Sequence, residues 1–311
     1  MRIGLVDLDT SHPASWLPHE RELGHEVVGV WDGGGVHPAG YAETFAADNG
    51  IPCVFPSPEG MVGEIDLAII HSANWDRHVE RARPFVEAGV SVLIDKPLAG
   101  NPRDLRQLVQ WTENGARISG GSSLRFCVEV QEWNARPIEE RGTPHTALCG
   151  CGVDDFSYGI HAYSLLFGLL GTGGPLGTRV QNVRHLGEHG QRRIQVTFSD
   201  GRLGFLTVGP TDWMPFHGTI ITEKGVTQFT ADSNRLYRVL LETVLPYLGG
   251  ETDEPPIPMQ GLIEPELAAL AARQSWLNGD CEVKIADIAE DIAYDGYAFE
   301  KEYQNMRYPG Q

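Results

Sequence analysis

Lys96 has the setting most favourable to chemistry in this 311-residue chain. It follows a strand-like apolar run, Val90 to Ile94, within Asp95-Lys96-Pro97. A lysine directly after a buried strand, on backbone stiffened by proline, holds its ammonium near the open end of the sheet, where it can orient a hydroxyl or lower that hydroxyl's pKa. The ordinary alternative is a surface lysine in a turn. Three further loops follow strand-like runs: Asp7 to His12, Asp32 to Gly40 and His71 to His78. In a doubly wound sheet, ligands bind beyond the carboxyl ends of the strands, which makes these four loops the candidate site. Asp7, Asp9 and His12 offer two carboxylates and an imidazole, a set that hard or borderline ions accept. Helix capping by Asp9, Thr10 or Ser11 explains the same residues, so no metal is expected. Cys149 and Cys151, two apart on one strand face, read as packed thiols.

The elements that must position these loops alternate over the first 120 residues. Ile3 to Leu8 reads as a strand and Pro13 to Leu23 as a helix, with Ser11 or His12 placed to cap it. Val27 to Trp31 is a second strand, Tyr41 to Asn49 a helix stopped by Gly50, and Asp66 to Ile70 another strand. His78 to Ala88, Val90 to Ile94 and Pro102 to Asn114 continue as helix, strand, helix. Strands apolar on both faces, each followed by a helix, predict a parallel sheet covered on both sides. After Gly120-Gly121 the pattern changes. Runs such as Arg193 to Phe198 and Gly218 to Ile221 alternate, and Ser199-Asp200-Gly201 and Glu223-Lys224-Gly225 are turn signals, which predicts antiparallel hairpins. Amphipathic helices are expected near 159–170, 234–248 and 262–278, the last two joined by the stiff connector Glu254-Pro255-Pro256-Ile257-Pro258. The fold expected is α/β: a Rossmann-type doubly wound parallel sheet over 1–121, then an α+β domain over 122–311 with a large, mostly antiparallel sheet.

Composition narrows the partners. The chain is 41% hydrophobic, enough for packed cores at roughly 150 residues per domain. It carries 42 acidic against 24 basic residues, a net charge of -18, which repels phosphate backbones and anionic lipid heads. Nucleic acid and membrane are therefore not expected as partners. Five scattered cysteines without a CxxC pair fit reduced thiols, and neither a signal-peptide pattern nor an apolar run of ~18 residues is seen, so a cytoplasmic location is expected.

Several of these segments together resemble a known family. Asp66 to Ile70, then His78, then Glu87-Ala88-Gly89 leading through Val90 to Ile94 into Asp95-Lys96-Pro97-Leu98-Ala99, is similar to the Gfo/Idh/MocA oxidoreductases, whose strand ends in Glu-Lys-Pro. Leu124-Arg125-Phe126, Gly159-Ile160-His161 and the closing helix Leu262 to Asn278 extend the match. The resemblance implies an N-terminal domain binding NAD, or NADP, and a C-terminal domain whose open sheet forms a homodimer or homotetramer interface. It implies hydride transfer between the nicotinamide and a hydroxyl or keto group of a sugar, polyol or related small molecule. Lys96 and His161 would flank the reacting carbon as the catalytic pair, the ammonium stabilising an alkoxide and the imidazole taking the proton. Asp9, Thr10, Ser11, His12, Asp32, Ser72, Asn74, Asp95, Lys96 and Pro97 would line the cofactor. Lys96, Arg125, Asp155, Ser157, Tyr158 and His161 would line the substrate.

The chain departs from that family in two places. Aligned on Gly4, the three glycines of the dinucleotide fingerprint become Asp7, Asp9 and His12, which adds bulk and like charge where backbone should approach a pyrophosphate. Thr10 and Ser11, at a helix start, still offer hydroxyls to an anion. Asp32 keeps the position from which an acid accepts ribose hydroxyls. The acid expected four residues before His161 is Ser157, and the one three residues after it is Ser164. Asp154, Asp155 or Tyr158 are the candidates to replace it. His78, at a helix start, is expected to serve structure. These losses keep two other readings open: an isomerase or lyase in which Lys96 and His161 transfer protons without redox turnover, and a non-catalytic binding protein on the same fold.

Overall fold

The computed structural model describes residues 1–171 and 179–310. It divides into two compact units, one formed by residues 1–120, 241–259 and 295–311 and the other by 121–240 and 260–294. The first division falls between Gly120 and Gly121, and two later segments, 241–259 and 295–311, pack with the first unit.

Unit 1 carries β1 (Arg2–Val6), α1 (His12–Glu22), β2 (Glu26–Trp31), α2 (Tyr41–Asn49), β3 (Cys53–Val54), β4 (Leu67–Ile70), α3 (His78–Glu87), β5 (Ser91–Ile94), α4 (Pro102–Glu113) and β6 (Ile118–Gly120). The strands form one parallel sheet in the order β3-β2-β1-β4-β5-β6, the doubly wound arrangement with its switch point beside β1. Every residue of β4 and β5 is buried, as apolar runs covered on both faces require. α4 starts at Asn101, whose side chain accepts from the Asp104 amide, with Pro102 in the first turn.

Unit 2 carries α5 (Val128–Ala135), α6 (Ile138–Arg141), β7 (Pro144–Gly150), α7 (Gly159–Leu170), β8 (Val180–His189), β9 (Gln191–Phe198), β10 (Leu203–Val208), β11 (His217–Thr222) and β12 (Gly225–Thr230). The chain continues through α8 (Leu236–Leu248), α9 (Met259–Leu262), α10 (Glu264–Leu277), β13 (Val283–Lys284) and α11 (Gly296–Arg307). The boundary between units falls inside α8, and α11 belongs to unit 1. Among the described residues the second sheet runs β12-β11-β7-β10-β9-β8-β13. Its pairs are antiparallel except β7 with β10, which is parallel. All twelve residues of α7 are buried, and the helix lies against the sheet face made by Ala147, Cys149, Leu206 and Ile220. Gly204 allows that approach, since a Cβ there would meet Leu166 Cδ2 at 2.5 Å. Among the described residues, no helix is long and apolar enough to cross a membrane.

Candidate functional site

In unit 1 the four loops beyond β1, β2, β4 and β5 converge through their own side chains. Asp7 takes a left-handed backbone, φ 58°, where the turn after β1 needs it, a conformation that Asp tolerates better than most residues. Its buried carboxylate accepts from the Gly33 amide at 2.8 Å, from Arg81 Nε at 3.2 Å and from the Ser72 hydroxyl. Arg81 also lies over the Trp31 ring, 4.6 Å from its centroid. Asp9, equally buried, accepts from the Ala73 amide at 2.8 Å, while its Oδ1 has no partner among the described residues. Burial, reinforced by the charge of Asp7, pushes the Asp9 carboxyl up to about 8.

Beside them, Asp95 joins two imidazoles. Its Oδ2 lies 2.5 Å from His12 Nδ1 and 3.1 Å from His71 Nδ1, and its Oδ1 accepts from the Lys96 amide at 2.7 Å. Burial opposes the charge of Asp95, yet the two histidines hold its carboxyl well below the usual carboxylate range. His71 is fully buried, and desolvation lowers its pKa against the pull of Asp95. Trp16 stacks on His12 at 5.6 Å and meets His71 edge-on at 4.9 Å, completing the packing. Asp95 thus fixes the backbone from which Lys96 projects, and the Lys96–Pro97 peptide bond is cis.

The remaining unit 1 candidates are placed as follows. Thr10 Oγ1 accepts from the His12 amide, and Ser11 is exposed at the start of α1 without a side-chain cap bond. Asp32 accepts from the Gly34 amide at 3.1 Å, and burial raises its pKa. Ser72 and Asn74 are turned inward, Ser72 to Asp7 and Asn74 to Glu300 of α11 at 3.4 Å. His78 faces the backbone oxygens of Leu98 and Ser72 with its two ring nitrogens, as a structural role predicts. Among the described residues no group of three or more His, Cys, Asp or Glu could hold a metal ion. Asp7, Asp9 and His12 point to separate partners.

In unit 2, His161 is buried in the first turn of α7. Its Nδ1 lies 2.7 Å from the Ser122 hydroxyl, which also accepts from the Leu124 amide at 3.2 Å. The imidazole is flanked by Phe216 at 4.9 Å and Tyr158 at 5.8 Å. Asp154, one of the candidates to replace the missing acid, accepts from the Phe156 and Tyr158 amides at 2.8 and 2.9 Å in the turn that leads into α7. Asp155 pairs with Arg192. Ser157 and Ser164 are buried. Arg125 is buried as well, and desolvation lowers its pKa to about 10 against the nearby charges of Glu264 and Glu266. The partners that sequence reading did not identify are Ser122 for His161, His71 for Asp95, Arg81 for Asp7, and Glu300. Each lies on another element from its partner, and no local motif links the two.

A nicotinamide dinucleotide requires a diphosphate to approach the turn after β1. Here Asp7 and Asp9 occupy that turn, and the Gly33 and Ala73 amides are already spent on their carboxylates. The Glu300 carboxylate lies against Gly35, where an added Cβ would come within 2.2 Å of Oε1. These residues, as arranged, do not fit a dinucleotide docked in the fingerprint manner. Ser11, at the start of α1, is exposed.

Residues 3–119 match the family described as the oxidoreductase family, NAD-binding Rossmann fold. A protein of Amycolatopsis mediterranei with the provisional name UDP-kanosamine synthase oxidoreductase subunit is 29% identical over 131 residues. That match takes in 42% of this chain, and the chain spans about a third (35%) of the length of that relative. Among solved structures, one from Thermotoga maritima provisionally described as a dehydrogenase has a TM-score of 0.77 at 14% identity, covering 93% of this chain and 100% of that one. A myo-inositol dehydrogenase of Lactobacillus casei, in complex with NAD(H) and myo-inositol, has a TM-score of 0.74 at 16% identity over 91% and 96% of the two chains. A UDP-N-acetylglucosamine 3-dehydrogenase of Acidithiobacillus ferrooxidans has a TM-score of 0.72 at 17% identity over 88% and 97%. The fold is shared across all three.

Proposed function

We propose, from the match of residues 3–119 to that oxidoreductase family, that this chain is an oxidoreductase interconverting a hydroxyl and a keto group on a sugar, polyol or related small molecule. The observation that carries the reading is the Asp95-Lys96-Pro97 turn, held at the carboxyl end of β5 by the His12–Asp95–His71 contacts. An ammonium fixed there stabilises negative charge on a substrate oxygen. His161, seated by Ser122, exchanges the hydroxyl proton. The redox partner on this reading is NAD, with NADP the alternative, and the names of relatives acting on inositols and nucleotide sugars support the substrate class.

One observation favours a second reading. The turn after β1, filled by the Asp7 and Asp9 carboxylates, suits an isomerase or lyase that moves protons with Lys96 and His161 and leaves nicotinamide unchanged. Calorimetric titration with NADH and NADPH separates the two. Binding of either, at any measurable affinity, is the expected result, and binding of neither by this chain or by folded variants with Glu300 or Tyr308 replaced ends the redox reading.

A further inference from the structure

Besides Asp7 and Asp9, a carboxylate from α11 lies at the crevice of unit 1. In the order β3-β2-β1-β4, β1 lies between β2 and β4. A side chain touching the loops beyond both β2 and β4 therefore lies over the carboxyl end of β1, at the switch point where ligands of such sheets bind. Glu300 is that side chain. Its Oε2 accepts from Arg77 Nη2 at 3.2 Å and from Asn74 Nδ2 at 3.4 Å beyond β4, and its Oε1 lies against Gly35 beyond β2.

The rest of the segment is anchored at both ends. The Gly296 amide donates to Asp76 Oδ2 at 2.9 Å, and Phe299 lies on Trp75 with ring centroids 5.0 Å apart. At the far end, Tyr308 meets His37 Nδ1 at 2.7 Å, and His37 Nε2 donates to the Leu8 carbonyl at 3.0 Å. With Nε2 carrying that proton, Nδ1 of a neutral ring accepts from the Tyr308 hydroxyl.

Apart from the Phe299–Trp75 contact, and Arg77 over the Tyr297 ring at 5.3 Å, these anchors are polar. Within α11 only Gly296 and Glu300 are buried, so the helix has no broad apolar face holding it down. Glu300 Oε1 has no hydrogen-bond partner among the described residues, and an unsatisfied buried carboxylate oxygen weakens rather than secures the contact. Arg77 and Asn74, the groups that Glu300 engages, are also the donors a phosphate would seek at this place.

The geometry points to α11 as a displaceable plug: residues 295–310 cover the dinucleotide crevice of unit 1, and a nicotinamide dinucleotide binds only when Glu300 surrenders Arg77 and Asn74. This rests on the redox reading above and explains how a chain with an occupied crevice retains it. The apparent affinity is then reduced by the fraction of molecules with the plug in place.

Hydrogen exchange of the full chain with and without saturating NADH tests the plug, beside titrations of the full chain and of Glu300→Ala. Exchange within 296–307 is expected to quicken at least tenfold on binding, and Glu300→Ala to bind NADH at least tenfold more tightly. Tyr308→Phe, which removes only one hydroxyl, shifts affinity the same way by less and serves if Glu300→Ala does not fold. Binding by the variants alone also supports the plug. Nucleotide that binds while α11 stays protected, or affinity that is unchanged or weaker in both variants, overturns the plug and leaves the redox reading standing. Failure of the full chain and both folded variants to bind NADH or NADPH removes both.

Discussion

The Ser122 hydroxyl at 2.7 Å from His161 Nδ1 stands where a carboxylate would orient the ring and support its positive form. A hydroxyl can donate or accept, so it seats the imidazole without stabilising the imidazolium as an anion would. Ser122→Ala is expected to lower kcat about tenfold, less than the ~10²–10⁴-fold of an acid–base step itself, with KM little changed, and Ser122→Thr to restore it. Steady-state kinetics with both variants reads this, and a change confined to KM contradicts the positioning role. Glu20 tests electrostatics apart from the site. It is fully buried on α1, neither oxygen has a partner among the described residues, and burial pushes its pKa up to about 8. A carboxyl with a raised folded pKa is bound to its proton in the native state while the unfolded state has released it. Stability therefore falls as pH rises from the unfolded pKa near ~4.3 toward the folded value, by up to about 1.4 kcal/mol per pH unit. Asp9 adds a slope of the same sign. Denaturant titrations across that window are expected to show the decline, and Glu20→Gln to flatten it. At this scale the sequence singles out Lys96 as a candidate, because a lysine between a buried strand and a proline is a local signal. It hid Ser122, His71 and Arg81, whose roles come from residues brought together only by folding.

The parallel sheet was legible because β1, β2, β4 and β5 are apolar runs bounded by helices, while β3, with two residues, and β6, with three, are too short to declare a period. The hairpin turns at Ser199-Asp200-Gly201 and Glu223-Lys224-Gly225 stand where β9 meets β10 and β11 meets β12. What the sequence concealed was the return of two late segments to unit 1. Ser91 Oγ donates to the Leu248 carbonyl at 2.7 Å, Arg117 donates to the Tyr247 and Thr252 carbonyls, and Glu300 meets Asn74, all pairings over 100 residues apart in sequence. No periodicity within a segment announces such a partner. The packing of α7 supplies a test at this scale. Gly204→Ala places a methyl 2.5 Å from Leu166 Cδ2 and is expected to cost about 1–3 kcal/mol, read from the denaturation midpoint. An unchanged midpoint contradicts the close approach.

For the molecule as a whole, the net charge of -18 and the second sheet carry separate consequences. One face of that sheet meets α7. On the other, Leu148 lies in register with Phe205 and Thr219, and Leu148 is 42% exposed on a central strand. We propose that this face joins copies of the chain into a homodimer or homotetramer. Light scattering is expected to report an oligomer that Leu148→Arg reduces to monomer, and a monomeric parent chain rejects the proposal. The central proposal is nicotinamide-linked redox turnover that requires both Lys96 and His161. Its most direct test follows nicotinamide absorbance while the protein is mixed with NAD or NADP at high concentration and a panel of polyols, inositols and sugars. The account predicts a substrate-dependent rise in reduced nicotinamide that falls at least a hundredfold in both Lys96→Ala and His161→Ala. Conversion of a substrate with no change in that absorbance, or a redox rate indifferent to both substitutions, would contradict it.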